Sequence, residues 1–184
     1  MSTRVILTYK DYEALPADGR RYEVHEGELC VTPAPSPQHQ EVIRNLLVAL
    51  HLHVDARGLG KALCAPIDCI LSDTTIVQPD IVYVESRRLS AISRHGIEGP
   101  PTLVVEVLSP TTTQIDRGVK FQLYARYEVP YCWIVDLDAR TVEAYVLTGG
   151  TYQLTVRAAG ADPVPLPPLT DLGLVPATLW PGSA

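Results

Sequence analysis

Two acidic residues stand at the ends of two strand-like runs in this sequence. Asp80 opens the run of residues 79–84, and Glu106 lies near the end of the run of residues 102–107. If the runs pair as antiparallel strands, the start of one lies beside the end of the other, so the two carboxylates can share a cation. Lys120 follows after a polar helix start. Two carboxylates and one ammonium group at one sheet edge are the groups that metal-assisted phosphodiester hydrolysis requires.

Other arrangements of these residues predict other roles. Parallel strands would separate the two acids by several residues at roughly 3.3 Å each, which is too far for one metal ion. Glu106 lies in a run that is apolar on both faces, so its carboxylate needs a cation or a hydrogen-bond donor. Asp80 alone could simply cap a strand. Lys120 stands four residues after Asp116, which also fits a surface ion pair worth a few tenths of a kcal/mol. The residues therefore favour a metal site at the two acids and leave Lys120 open.

Turn and capping signals predict the elements that position these residues. Residues 21–31 predict a hairpin with its turn near Gly27. Ser36 as N-cap, Pro37 in the first position and Gly58 as the stop predict a helix with one apolar stripe. The remaining elements are, in order, strand 62–71, strand 80–84, strand 102–108, a helix from 109–113 to about 127, strand 131–136 and strand 141–147. This order predicts an α/β fold with a central mixed sheet flanked by helices.

Length and composition predict a single soluble domain over residues 1–184. Of the 184 residues 46% are hydrophobic, and no apolar run is long enough to span a bilayer. The first ten residues lack the apolar core of a signal peptide, so a cytoplasmic location is expected. The four cysteines are scattered without zinc-finger spacing, which argues against a zinc site or a disulfide frame.

The charge of the chain weighs against a stand-alone nucleic-acid-binding protein. The formal net charge is −6, whereas such proteins usually carry a basic excess. Affinity for DNA would then need a local basic strip. The candidate arginines lie between the two acidic strands or on the following helix, at Arg87, Arg88, Arg94, Arg117 and Arg126. A solvated surface is the slightly favoured interpretation of these arginines.

The C-terminal segment, residues 161–184, is rich in both proline and apolar residues. It holds six prolines, yet it also contains Leu166, Leu174 and Trp180 among its apolar side chains. A free linker would not carry so many apolar groups. We therefore expect an extended arm that docks on its own domain or on a second subunit, where it could help to form a homodimer.

Several segments together resemble one known family. The matching runs are residues 22–29, 78–84, 101–111, 116–120 with Tyr124, and 129–136. They resemble the restriction endonuclease family called Uma-two, within the PD-(D/E)XK nuclease superfamily, over a core of about residues 22–152. Each motif alone would be weak, but the set is specific. The resemblance implies a restriction-endonuclease-like core.

The resemblance also implies a metal site. Asp80, Glu106 and the backbone carbonyl near Val107 would hold Mg²⁺ or Mn²⁺, hard ions that take oxygen ligands. The superfamily's lysine is expected two positions after Glu106, where this chain has Leu108. In related families the following helix supplies the lysine instead, and Lys120 occupies that place. It would orient the attacking water or stabilise the transition state.

Further acids are candidates for supporting roles. Glu23 matches the upstream motif of the family and is the first candidate, and Asp116 is a second, beside Lys120 on the helix. Glu41 and Asp68 fit a solvated helix face and an edge-strand charge at least as well. For Tyr124, filling the core is the expected role.

Three functions are consistent with these residues. The favoured one is an endonuclease that hydrolyses DNA phosphodiester bonds with Mg²⁺ or Mn²⁺, acting as a homodimer. The second is a nuclease-fold module without catalysis that serves in binding or assembly, which the acidic charge and the missing lysine beside Glu106 suggest. The third is a metal-dependent hydrolase of a small phosphorylated substrate. No Gly-x-Ser-x-Gly elbow surrounds Ser109, which argues against a serine hydrolase.

Overall fold

A computed structural model describes residues 5–109, 113 and 115–182 of the chain. Within these residues the strands are β1 (Arg21–His25), β2 (Glu28–Thr32), β3 (Gly60–Cys64), β4 (Cys69–Ser72), β5 (Thr75–Val77), β6 (Ile81–Glu85), β7 (Ile97–Glu98), β8 (Leu103–Leu108), β9 (Tyr131–Asp136), β10 (Thr141–Thr148), β11 (Thr151–Ala158), β12 (Val164–Leu166) and β13 (Leu169–Leu174). The α-helices are α1 (Tyr9–Glu13), α2 (Pro37–Ala56) and α3 (Phe121–Arg126). Short 3₁₀ segments span Ser86–Ala91 and Pro176–Leu179, and Ile115–Lys120 is π-helical.

The main sheet is mixed. In the described part of the chain it has six strands, in the order β11-β10-β9-β8-β6-β3. The β8 and β9 strands run parallel, and the other neighbours run antiparallel. α2 packs in the apolar cluster on one face of this sheet, and α3 packs in the cluster on the other. The prediction of a central mixed sheet flanked by helices is confirmed.

Helix α2 begins where its capping signals predict. The Ser36 side chain accepts a hydrogen bond from the His39 amide at 3.2 Å, and Pro37 occupies the first turn, where a missing N–H leaves no bond unmade. Leu46 and Leu50 are fully buried against the main sheet. Truncating either leucine to alanine would cost about 2–5 kcal/mol. This packing fixes the first turn of α2 at the edge of the sheet.

The predicted hairpin is the pair β1 and β2. Glu26 and Gly27 both have positive φ, at 51° and 85°, and such a two-residue turn matches the twist of the strands it joins. β1 also pairs with β5 in a second sheet, whose order among the described residues is β2-β1-β5-β4-β7. Strand β1 thereby carries Glu23 to the neighbourhood of Lys120.

The C-terminal segment packs on the same face of the main sheet as α2. β12 and β13 pair antiparallel, and Leu166, Leu174 and Trp180 are buried in the apolar cluster that contains α2. Trp133 of β9 donates its indole N–H to the Pro167 carbonyl at 2.7 Å. In this structure the segment docks on the chain that carries it.

Two predicted elements differ from the structure. The single strand predicted over residues 62–71 is wrong, because β3 belongs to the main sheet and β4 to the second sheet. Pro66 lies between them, and a proline has no N–H to donate to a ladder. The helix predicted to run to about residue 127 is π-helical before it becomes α3. Its predicted capping region falls partly on residues 110–112, outside the described residues.

Candidate active site

Strands β6 and β8 bring Asp80 and Glu106 to one edge of the main sheet. Their antiparallel register pairs Ile81 with Val105, so the next residue outward on each strand is one of the two acids. The predicted antiparallel pairing is confirmed. Both acids are almost fully buried, and Asp80 Oδ2 accepts a hydrogen bond from the Val107 amide at 2.9 Å.

Lys120 ends the π-helical segment and reaches the same acids. Its Nζ lies 2.6 Å from Glu106 Oε1, 3.3 Å from Glu23 Oε1 and 3.9 Å from Asp116 Oδ1. The side chain is only 5% exposed. Burial alone lowers the pKa of Lys120, but Glu106 and Glu23 raise it above its usual value. The lysine therefore stays protonated.

Glu23 is a second carboxylate partner of Lys120. Its Oε1 accepts a hydrogen bond from the Gln78 amide at 2.6 Å, and its Oε2 lies 2.9 Å from His25 Nε2. Burial alone would raise the pKa of Glu23, but Lys120, His25 and the Gln78 amide together lower it to about 2. Glu23 is therefore an ionised carboxylate, stabilised by Lys120, His25 and the Gln78 amide.

Glu106 has a different electrostatic environment. Burial raises its pKa, Lys120 opposes this, and the nearby carboxylates Asp116 and Asp80 raise it further. Tyr124 donates its hydroxyl hydrogen to Glu106 Oε1. Tyr124 is fully buried, so it fills the core as expected and also binds the acid. Because one lysine serves both Glu106 and Glu23, negative charge at Glu106 is only partly compensated.

A cleft of about 270 Å³ lies at this edge of the main sheet. Asp80, Glu106, Asp116 and Lys120 form its acidic wall, and residues 32–36, which lead into α2, also line it. Asp80, Glu106 and Lys120, which the sequence predicts as a catalytic set, therefore face the same space. Asp116 belongs to this wall as well, and Glu23 lies behind Lys120.

Comparison with known proteins assigns the chain to a family. The model of the Uma2 family, described as "Putative restriction endonuclease", matches residues 9–178. The chain belongs to the Uma2 family. This confirms the resemblance seen in the sequence motifs.

A solved structure shows the same fold as this Uma2 family member. It is the crystal structure of "a putative nuclease belonging to DUF820" from Anabaena variabilis, with a TM-score of 0.77 and 22% sequence identity. The match covers 94% of this chain and 97% of that chain. No curated protein matches the chain. In the part of the chain that the structure describes, no helix is long and apolar enough to cross a membrane.

His39, in the first turn of α2, contacts one of the two acids of this family member and the backbone beside the other. It is 5% exposed. Its Nε2 lies 2.7 Å from the Val107 carbonyl oxygen and 3.2 Å from Asp80 Oδ2. Both neighbours are acceptors, so Nε2 carries a hydrogen. Burial lowers the pKa of His39, but the contacts with Asp80 and Val107 raise it overall.

Arg21 is a second side chain that the sequence does not single out. Its guanidinium donates to the Gln78 carbonyl at 2.9 Å and to the Gln78 side chain at 3.3 Å. Its Nη1 lies 3.9 Å from Asp80 Oδ1, and the side chain is 20% exposed. Arg21 also lines the cleft. It is therefore a cation held in one orientation at the mouth of the site.

Other candidates from the sequence lie elsewhere. Glu41 is paired with Arg44 on the outer face of α2. Asp68 accepts hydrogen bonds from Tyr12 and Gln78, at 2.7 and 2.8 Å. Three arginines of the suggested basic strip are paired with acids: Arg87 with Glu85, Arg117 with Asp136 and Glu143, and Arg126 with Glu26. These pairs leave little free positive charge at the three arginines.

The donor atoms at this sheet edge fit a hard divalent cation. Asp80 Oδ2 and the Val107 carbonyl oxygen both lie within 3.2 Å of one nitrogen, His39 Nε2. Oxygen donors of these two kinds are common ligands of Mg²⁺ and Mn²⁺. Glu106 points instead at Lys120 and Tyr124. As they stand, no three His, Cys, Asp or Glu side chains among the described residues enclose a cation.

Proposed function

We propose that this Uma2 family member is a metal-dependent endonuclease that hydrolyses DNA phosphodiester bonds. The observation that carries the proposal is the convergence of Asp80, Glu106 and Lys120 on one cleft, in a family described as a restriction endonuclease. Asp80, Glu106 and the Val107 carbonyl would hold Mg²⁺ or Mn²⁺. When bound, such an ion supplies a water of lowered pKa and neutralises charge on the phosphoryl oxygens.

Lys120 acts as a hydrogen-bond donor in this proposal. A lysine that stays protonated cannot take a proton from water, so it does not serve as the general base. Its ammonium group is held between Glu106 and Glu23, and its remaining hydrogens can orient a water or a phosphoryl oxygen. A fixed positive charge beside the reacting phosphate stabilises the negative charge that develops there.

Arg21 binds the substrate phosphate in this proposal. Its guanidinium is oriented by Gln78 and lines the same cleft as the buried lysine. A guanidinium can donate two parallel hydrogen bonds to a phosphate group. Arg21 and the bound cation would supply local positive charge in a chain whose net charge is −6, because Lys120 is already paired with Glu106 and Glu23.

The two alternative functions differ in how they account for Lys120 and for charge. A non-catalytic module would have no need of a buried lysine paired with Glu106, and Lys120 does not point into solvent. A hydrolase of a small phosphorylated substrate is the second candidate, because a small anion needs only the local charge of Arg21 and the bound cation. The acidic net charge favours this candidate over binding of a long duplex.

A homodimer is part of the proposal for a duplex substrate. Two sites related by a two-fold axis cut both strands most simply. Light scattering at concentrations used for cleavage tests this part, and a strict monomer that cuts both strands would contradict it.

The function is tested by cleavage assays on supercoiled and single-stranded DNA. Wild type, Asp80→Ala and Lys120→Ala are compared with Mg²⁺ or Mn²⁺ and then with chelator, and Glu41→Ala on the outer face of α2 is the control. We expect cutting by wild type and the control only with metal, and none by the two site variants. Hydrolysis of nucleotides without cutting of DNA would favour the small-substrate hydrolase instead. Metal binding without either activity would favour the binding module.

A further inference from the structure

A buried histidine lies directly against the oxygens that would hold the cation. His39 Nε2 contacts Asp80 Oδ2 at 3.2 Å and the Val107 carbonyl oxygen at 2.7 Å. The other ring nitrogen, Nδ1, is buried without a hydrogen-bond partner in the part of the chain that the structure describes. A buried polar atom without a partner costs stability and needs an explanation. The contacts of Nε2, rather than the environment of Nδ1, therefore connect this histidine with the oxygens of the site.

We propose that His39 Nε2 is a ligand of the cation, beside Asp80 and the Val107 carbonyl. The proposal rests on the proposed function and adds the class of metal to it. In an octahedral site with ligands at about 2.1 Å, neighbouring ligand atoms lie about 3.0 Å apart. The two contacts of Nε2, at 2.7 and 3.2 Å, lie on either side of that spacing. The spacing of Nε2 from each oxygen is therefore the spacing of neighbouring ligands on one ion.

Metal binding at Nε2 requires the lone pair of that nitrogen. A neutral ring then carries its one hydrogen on Nδ1, and a charged ring releases its Nε2 proton to solvent. Helix α2 holds the ring in place, because the Ser36 cap fixes the first turn and the buried leucines fix the rest. The ligand is thus supplied by a rigid element rather than by a loop.

An imidazole ligand changes which ions the site prefers. Carboxylate, carbonyl and water oxygens suit Mg²⁺, whereas imidazole nitrogen favours first-row transition metals. Among divalent ions of that row, affinity at a mixed nitrogen and oxygen site rises from Mn²⁺ towards Cu²⁺. We therefore expect the site to bind Mn²⁺ more tightly than Mg²⁺.

The test measures nitrogen coordination directly. Pulsed electron paramagnetic resonance of the wild type loaded with Mn²⁺ should show coupling to a directly bound ¹⁴N nucleus. The coupling should vanish in His39→Ala and persist in His51→Ala, which removes a histidine of the same helix that is 56% exposed. Calorimetric titration should show Mn²⁺ affinity falling at least about tenfold in His39→Ala, since loss of a group that only orients ligands already costs that much, and Mg²⁺ affinity falling less.

Each outcome decides a different point. Mn²⁺ binding that Asp80→Ala abolishes, without nitrogen coupling in the wild type, would overturn the role of His39 and leave the proposed function in place. Mn²⁺ binding that is insensitive to Asp80→Ala, or no binding at all, would overturn the metal-dependent function itself. Because the spectrum of the wild type is sufficient for the first decision, the test does not depend on whether His39→Ala folds.

Discussion

Replacing Lys120 with methionine should destabilise the protein strongly. Lys120 Nζ lies 2.6 Å from Glu106 Oε1 and 3.3 Å from Glu23 Oε1, and none of the three side chains is more than 5% exposed. Methionine keeps an unbranched stem but removes the charge, so two buried carboxylates lose their cation. Removing one partner of a buried ion pair costs about 3–5 kcal/mol. At roughly 2–4 °C per kcal/mol for a domain of this size, the melting temperature should fall by roughly 6–20 °C.

The cost is measured by urea unfolding with chelator present. Lys61→Met on β3 is the matched control, because Lys61 is exposed, and a surface change of this kind costs less than about 0.5 kcal/mol. Combining Lys120→Met with Glu106→Gln should recover part of the lost stability, since the second change removes one of the uncompensated charges. Cleavage by Lys120→Met should be absent even well below its melting temperature.

Two results would refute this reasoning. A loss of less than about 1 kcal/mol in Lys120→Met would mean that the buried carboxylates do not depend on the lysine charge. A Lys120→Met/Glu106→Gln variant whose losses simply add would mean that the two side chains are not coupled. If Asp80 and Glu106 hold a cation, Mn²⁺ should also raise the melting temperature of Lys120→Met more than that of the wild type, because the ion replaces the missing positive charge.

Three further predictions follow from single side chains. The pKa of Glu23 falls from 4.5 to about 2 on folding, so ionised Glu23 contributes on the order of 3 kcal/mol to the unfolding free energy. This contribution is complete above about pH 4.5 and is lost as the pH falls towards 2. In urea unfolding, Glu23→Gln should therefore lose less stability between these pH values than the wild type, and parallel pH profiles would contradict this. Arg21→Ala should lower kcat/KM for cleavage about a hundredfold, whereas the exposed neighbour Arg20→Ala should not, and equal effects would exclude a phosphate-binding role. Trp180→Ala should cost about 3–5 kcal/mol of unfolding free energy. Leu154 is half-exposed, so Leu154→Ala should cost less than about 0.5 kcal/mol. A cost below about 1 kcal/mol for Trp180→Ala would mean that the C-terminal segment is not docked.

The elements that the sequence predicts well are those with local signals. Helix α2 has a capping serine, a first-turn proline and a continuous apolar stripe, and the hairpin has a glycine at its turn, where φ is positive. The wrong prediction of one strand over residues 62–71 arose because strand pairing is not a local signal. Alternation of apolar residues identifies extended chain, but it does not say which sheet a strand joins, and that depends on partners far away in sequence.

The residues of the candidate site also differ in whether a local sequence signal identifies them. Asp80 and Glu106 could be found because Asp80 directly precedes an apolar strand and Glu106 lies within one, where a carboxylate is costly without a partner. Arg21 was missed, and His39 was not put forward as a site residue, because their contacts are distant: His39 meets Val107 across 68 residues, and Arg21 meets Gln78 across 57. One local signal for the histidine was available.

That signal was helical spacing. His39 lies three, four and seven residues before Val42, Ile43 and Leu46, which places it on the buried stripe of α2 rather than on the exposed face. A titratable residue on an apolar stripe, in the first turn of a helix that packs on a sheet edge, is a candidate for contact with the ends of the strands.

The position of the lysine follows from the two faces of β8. Side chains two residues apart on a strand share a face, so Leu108 lies on the same face as Glu106, and there it is buried in the apolar cluster that contains α3. Lys120 reaches Glu106 from the segment that covers this same face. The carboxylate thus keeps its cation while the strand keeps an apolar residue at position 108. The sequence of β8 shows a leucine at this position, whereas the lysine comes from a later segment of the chain. The absence of a lysine two residues after Glu106 is therefore not by itself a sign of lost catalysis.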